Sequence, residues 1–353
     1  MRKHNPWLLI LALTGCGVDA ALPVQIDPTE QVSGGKADKT GAIPDVTCDS
    51  PPPFTTEGWR HGFKSPLATA FGTANHRGID LVASASQAQQ LVSGEIKYVE
   101  AIDIIEKSLE DEYVEVFACR SGAWQSLGRA LTDDNGNFQI ALSGAARLPV
   151  GIRSMFVSVL GDGSAVEFLA MVLPDGDQVF ISDVDGTLTS SENAFPDSLV
   201  KGIFTDTPVA FNEGAPAALT ALQGRNYHPI YVTSRGRVFT GVTRNWLSSN
   251  GFPRGALRLN ESAVTLPGAA TSQYKSDTFK AIVASGITPK IGIGNRATDA
   301  AAYKTVDLDG QHIFLKLPEF QDEDGPVIAA GGATGFTSYV DLSPTFQAEP
   351  VAP

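Results

Sequence analysis

Val179-Phe180-Ile181-Ser182-Asp183-Val184-Asp185-Gly186-Thr187-Leu188-Thr189 is an apolar run ending in two carboxylates one residue apart, followed at once by Gly-Thr. The run reads as a buried strand. Residues two apart on a strand point the same way, so Asp183 and Asp185 emerge together where it ends. At that edge of an open parallel sheet, ligands bind. Two carboxylates there can hold a divalent cation, and one of them can attack phosphorus. An Asp-rich turn with Gly186 serving backbone geometry is the plainer alternative.

Working outward, the texture from residue 175 onward alternates strand-like and helix-like runs. Strands are predicted at 179–181, 230–233, 291–293 and 313–316. One helix is predicted from near Asn212, with Pro216 in its first turn, to Gly224. A second is predicted over about 239–250, before Gly251. A third is predicted to follow Ser276 as N-cap and to end before Gly286. Such alternation means a parallel α/β sheet with right-handed crossovers.

Residues 57–174 show short alternating runs between turn signals, which predicts an all-β sandwich. Asp133-Asp134-Asn135-Gly136 reads as a hairpin turn. Residues 17–56 lack apolar periodicity and end in Pro51-Pro52-Pro53, which reads as a flexible tether. The catalytic unit is expected over 175–345, with 346–353 as a tail.

The first 16 residues read as a targeting segment. Arg2, Lys3 and His4 precede a short apolar core at 7–13, too short to span a bilayer. Leu13-Thr14-Gly15-Cys16 resembles a bacterial lipobox, which implies cleavage before Cys16 and lipidation of its thiol. That predicts an exported, envelope-located protein held to a membrane by a lipid anchor; an ordinary secretory signal with a chance cysteine is the plainer alternative and is equally exported. Of three cysteines, Cys48 and Cys119 remain. In an oxidising compartment they can pair and staple the tether to the sandwich, or stay as two thiols.

The net charge is −13, from 26 basic against 39 acidic residues. That balance argues against nucleic acid as a partner. It leaves anionic small substrates open, because local charge decides binding at a site.

Three later elements follow the opening motif in order. Pro229-Ile230-Tyr231-Val232 leads into Thr233-Ser234-Arg235, where a hydroxyl at a strand end can hold a phosphoryl oxygen. Lys275, at an expected helix start, can neutralise a phosphorylated aspartate, with Lys280 as its rival. Ile291-Gly292-Ile293-Gly294-Asn295-Arg296-Ala297-Thr298-Asp299 brings two oxygen-bearing side chains near a metal, or two helix caps.

Asp183-x-Asp185-Gly186-Thr187 with these followers resembles the haloacid dehalogenase (HAD) superfamily. The resemblance implies a HAD-type, Rossmann-like parallel sheet with a minimal cap, here preceded by the β-sandwich. It implies Asp183 as nucleophile, Asp185 as acid/base, Thr233 and Lys275 as catalytic supports, and Gly186, Thr187, Ser234 and Arg235 around the phosphate. It further implies Mg²⁺ held by Asp183, Asp185, Asn295 and Asp299. The Gly294-Asn295-Arg296-x-x-Asp299 form, trailed by Tyr303-Lys304, resembles lipin-type phosphatidate phosphatases. It points to phosphatidate or a related lipid phosphate as substrate, with residues 190–211 as the flap. Two alternatives stand beside it. One is a phosphatase of soluble phosphomonoesters. The other is a non-catalytic lipid-phosphate-binding module, a class that typically lacks one of the two motif carboxylates. No basic amphipathic helix suited to gripping an anionic membrane is evident.

Overall fold

The computed structural model describes residues 43–70, 72–99, 106–192, 209–262 and 268–353. The targeting segment, Cys16, and most of the expected tether and flap lie outside the described residues.

Strands dominate the first unit. Its largest sheet runs Leu81–Ser84, Ala165–Leu173, Gly151–Val159, Tyr113–Arg120, Ala123–Leu131. A second sheet orders Asn137–Ser143, Gln89–Glu95, Arg77–Ile79. The period of two sorts these strands between core and surface. Val114, Val116 and Ala118 on one strand are fully buried, packed with Val92, Met155 and Phe168. The unit is the expected β-sandwich.

The turn at Asp133 forms, but it does not make a hairpin. Asp133 Oδ1 accepts from the backbone N–H groups of Asn135 and Asn137, each at 2.8 Å. The strand after it, Asn137–Ser143, pairs with Gln89–Glu95 in the other sheet. The turn is therefore a corner between sheets. A hairpin the turn signals did not mark joins Tyr113–Arg120 to Ala123–Leu131. Its two-residue turn, Ser121-Gly122, has φ of 50° and 78°, the handedness that matches strand twist.

Part of the expected tether is docked. Asp45 and Val46 pair in parallel with Ile152 and Arg153. Cys48 is joined to Cys119 by a disulfide, with Cα atoms 5.8 Å apart. The Phe54 ring lies 5.9 Å from that of Phe156. A polar, Pro-rich composition signals lack of periodicity, but pairing to an existing sheet edge needs only backbone groups.

The second unit is a six-stranded parallel sheet. Its strands are β1 (Gln178–Ser182), β2 (His228–Gly236), β3 (Ala256–Asn260), β4 (Thr288–Gly294), β5 (Ile313–Lys316) and β6 (Thr334–Phe336). They order as β3-β2-β1-β4-β5-β6, all parallel. This is the doubly wound, Rossmann-like order, with its switch point between β1 and β4. Val179, Phe180 and Ile181 are all fully buried, as a strand covered on both faces requires.

The helices are α1 (Ala215–Gln223), α2 (Thr240–Ser249), α3 (Gly268–Ala284), α4 (Ala297–Lys304), α5 (Gln321–Ala329) and α6 (Tyr339–Ala348). Pro216 sits in the first turn of α1, as predicted. α3 departs from expectation: it begins at Gly268, so Ser276 is interior rather than a cap. Thr271-Ser272-Gln273 carries no apolar stripe to announce a helix. The later turns supply the anchor, burying Lys275, Phe279 and Ile282 on one face. The expected tail is also packed. α6 runs past residue 345, Phe346 is fully buried, and its ring meets Phe314 edge-on at 5.2 Å. Ala352 N donates to Arg225 O at 2.9 Å.

The two units share one apolar core. Val82, Ile152, Met171 and Leu173 of the sandwich pack with Ile181, Ile230, Val232 and Ala256 of the sheet.

Candidate active site

The sheet brings three strand ends together: β1 at Asp183, β2 at Thr233 and β4 at Asn295. Asp183 N donates to Ile293 O at 2.9 Å, extending the β1–β4 pairing to the carboxylate itself. Asp183 is only 4% exposed. Its two oxygens have different partners. Oδ2 accepts from the Thr187 hydroxyl at 3.0 Å, and Oδ1 takes the Lys275 ammonium at 2.6 Å.

Lys275 bridges two carboxylates, since its Nζ also lies 2.6 Å from Asp299 Oδ1. It reaches the site from the middle of α3, not from a helix start. The rival Lys280 is exposed on another face of α3. Burial works against the Lys275 charge, but Asp183 and Asp299 outweigh it and hold the ammonium firmly protonated. Burial pushes the Asp183 carboxyl up, Lys275 pulls it back, and Asp299 and Asp185 add to the rise.

Asp299 is held by the fold on both sides. Its Oδ2 accepts from the backbone N–H groups of Asn295 at 3.0 Å and Arg296 at 3.2 Å, capping α4. With Lys275 on Oδ1, both Asp299 oxygens already have partners within the fold. Asn295 does face the site: its Oδ1 lies 3.3 Å from the same Thr187 hydroxyl that meets Asp183. Carboxylate and amide oxygens converging on one point form a hard-oxygen donor set, which fits Mg²⁺.

Gly186 makes that convergence possible. It stands at φ +71°, and a Cβ there would lie 2.1 Å from Asn295 Nδ2. The Gly186 N–H donates to Thr189 Oγ1 at 2.8 Å. Asn212 holds the same loop by donating to the carbonyls of Thr187 at 2.8 Å and Thr189 at 2.9 Å.

Asp185 departs most from expectation. Arg235 grips it in a fork, with Nη2 at 2.6 Å from Oδ1 and Nε at 2.9 Å from Oδ2. The Thr233 hydroxyl donates to Oδ2 at 2.9 Å. Arg235, 2% exposed, is also tied by Nη1 to the Thr243 hydroxyl of α2 at 2.9 Å. Thr233 and Arg235, expected to meet phosphate, are thus committed to Asp185. Ser234 is fixed by its backbone, whose carbonyl accepts from Asn260 Nδ2.

Glu192 is a site residue that sequence reasoning missed. Its Oε2 accepts from Asn295 Nδ2 at 3.0 Å, which turns the amide oxygen toward Thr187. Burial raises its carboxyl above the ordinary value. Arg296 stands 3.5 Å from it and also pairs with Glu323 at 2.9 Å. No spacing rule marks Glu192, because it lies at the start of the expected flap.

A doubly wound sheet carrying this aspartate constellation at its switch point, behind a β-sandwich, is a Rossmann-like α/β fold. Residues 180–316 match the family model described as PITM 1-3, LNS2 domain, and residues 74–172 match that described as PITM 1-3, beta-sandwich domain. The chain is 26% identical over 245 residues to membrane-associated phosphatidylinositol transfer protein 2 of Mus musculus, covering 69% of this chain and 17% of that protein. It is 24% identical to protein retinal degeneration B of Drosophila melanogaster, covering 69% and 18%. The chain therefore spans under a fifth of the length of these relatives. A phosphoserine phosphatase solved in apo form aligns at a TM-score of 0.31 and 13% identity, over 48% of this chain and 98% of that one; so slight a likeness carries no argument.

Proposed function

We propose that the α/β unit is a Mg²⁺-dependent phosphatase acting through an aspartyl-phosphate, with phosphatidate or a related lipid phosphate as substrate. The observation that carries this reading is Asp183: a buried carboxylate at the switch-point edge, held by Thr187 and Lys275. Asp183 attacks phosphorus in line and the ester P–O bond breaks. Asp185 gives its proton to the leaving oxygen. It then takes a proton from the water that attacks the aspartyl-phosphate, freeing phosphate and restoring Asp183. Asp183, Asn295 and the Asp185 carbonyl would hold Mg²⁺, which when bound draws charge from the phosphoryl oxygens. Lys275 adds a fixed positive charge beside the nucleophile. Asp185 must leave Arg235 to carry a proton, so loosening of that fork is the step that arms the acid.

A second reading is favoured by the same fork: with Asp185 held by Arg235 and Thr233, the site binds a lipid phosphate without turning it over. The relatives' names, as transfer proteins, point the same way. Phosphate release from phosphatidate vesicles and from soluble phosphomonoesters, with Mg²⁺ or EDTA, separates the readings. Release from vesicles supports the first. Release from soluble esters alone removes the lipid substrate, and no release from either leaves the binder.

We further infer that Cys16 carries a lipid anchor in an exported protein. A disulfide at Cys48–Cys119 suits an oxidising compartment. Cys16→Ser should move the protein from the membrane to the soluble fraction of its native host. Unchanged partitioning contradicts the anchor.

A further inference from the structure

The seam between sandwich and α/β unit sets two partly buried arginines around one carboxylate. Asp80 is 1% exposed. Its oxygens accept from Arg244 Nη2 at 2.8 and 2.9 Å, and from the backbone N–H groups of Leu169 and Leu257, each at 2.8 Å. Those four contacts exhaust it. Arg258, one residue on along β3, faces the same seam. Among the described residues its guanidinium has no carboxylate within ion-pair distance, and its hydrogen bond is to the carbonyl of its own neighbour, Leu257, at 3.2 Å. Burial lowers the Arg258 pKa from its ordinary value. A partly buried cation without a carboxylate partner leaves a place for an anion.

The space beside Arg258 is ready for one. Arg258 lines two cavities, of about 330 Å³ and about 210 Å³. The smaller is also lined by Tyr274, Thr278 and Arg237. The Tyr274 hydroxyl is buried, with the Thr278 side chain as its near neighbour. The charges acting on it are those of three cations, Arg258, Lys275 and Arg237. Of the acids on this cavity, Glu95 pairs with Arg77 and Arg237, and Glu261 with Arg237. The smaller cavity has room for a small hydrated anion.

We propose that Arg258, the Tyr274 hydroxyl and Thr278 form a binding site for a small oxyanion of the phosphate class, distinct from the Asp183 site. A guanidinium fork and a hydroxyl donor are the groups such an anion takes. Tyr274 directly precedes Lys275, so an anion here grips the helix that carries the ammonium into the active site. The proposal stands whether or not Asp183 is a nucleophile.

Thermal unfolding in sulfate, against chloride at matched ionic strength, tests it on wild type, Arg258→Met and Tyr274→Phe. Neither variant breaks an ion pair present among the described residues. Without sulfate, both should unfold close to the wild-type temperature. With sulfate, wild type should gain more, at a half-saturating concentration about tenfold lower than in either variant, since losing one charge-assisted contact costs at least that factor. Sulfate at the Asp183 site raises all three proteins alike and cancels. The same comparison with phosphate and with glycerol 3-phosphate tells free anion from head group: the probe with the larger Arg258-dependent shift is the better mimic. Equal sulfate responses in all three proteins overturn the proposal. So does an Arg258→Met protein already destabilised in the absence of sulfate, which would make Arg258 a packing residue.

Discussion

At Gly186 the chain turns at φ +71° with Asn295 packed where a side chain would begin. Gly186→Ala should cost about 1–3 kcal/mol through backbone strain and the displaced amide. Urea unfolding reads the stability. Because the displaced group is Asn295, Mg²⁺ affinity should fall as well, and an unchanged affinity would count against Asn295 as a ligand. The Asp183-x-Asp185-Gly186-Thr187 pattern was legible because strand alternation and a glycine turn are local facts. The Arg235–Asp185 fork was not. Its partners are fifty residues apart, and nothing in either stretch says which anion the guanidinium will choose. Nor did spacing separate a ligand from a cap at Asn295 and Asp299. In the fold Asp299 caps α4 through Oδ2 and meets Lys275 through Oδ1.

Among elements, the strand pair around His76 carries a pH dependence. His76 is 6% exposed and its Nε2 meets the Ser164 hydroxyl at 2.6 Å. Burial holds its pKa down at about 4, from an ordinary 6.5. The neutral ring is the folded form, so its stabilisation is complete above pH ~6.5 and is lost as pH falls towards 4. Integrated over that window it amounts to about 3 kcal/mol. In His76→Gln the drop in urea midpoint between pH 7 and pH 4.5 should shrink correspondingly; an unchanged drop would assign the dependence elsewhere. The docked 43–56 segment offers a second test. The Cys48–Cys119 bridge closes a loop of 71 residues in sequence separation. Reduction should destabilise the fold by about 4 kcal/mol on the chain-entropy account. Calorimetry of the Cys48→Ser, Cys119→Ser protein measures it. At this scale the sequence announced α1, α2 and β1 through periodicity, Pro216 and glycine ends. It misplaced the start of α3, where packing rather than a cap sets the boundary. The corner at Asp133 looked like a hairpin because a turn signal does not name the sheet its second strand will join.

Across the whole molecule, the sandwich and the α/β unit should unfold together. Met171 and Leu173 pack in one core with Ile181 and Ile230, and Asp80, Glu95 and Asp45 pair across the seam with Arg244, Arg237 and Arg254. A single calorimetric transition is expected, and two separated transitions would contradict a shared core. That sharing was invisible in sequence, where a change of texture at residue 175 marked a boundary and nothing marked what crosses it. The central claim remains that Asp183 is a nucleophile. It is tested most directly by quenching the protein in acid during turnover of ³²P-labelled phosphatidate with Mg²⁺. Wild type should carry a hydroxylamine-labile label on Asp183, and Asp183→Asn should carry none while keeping its fold. Phosphate release without such a label, or a label retained in Asp183→Asn, would contradict the account.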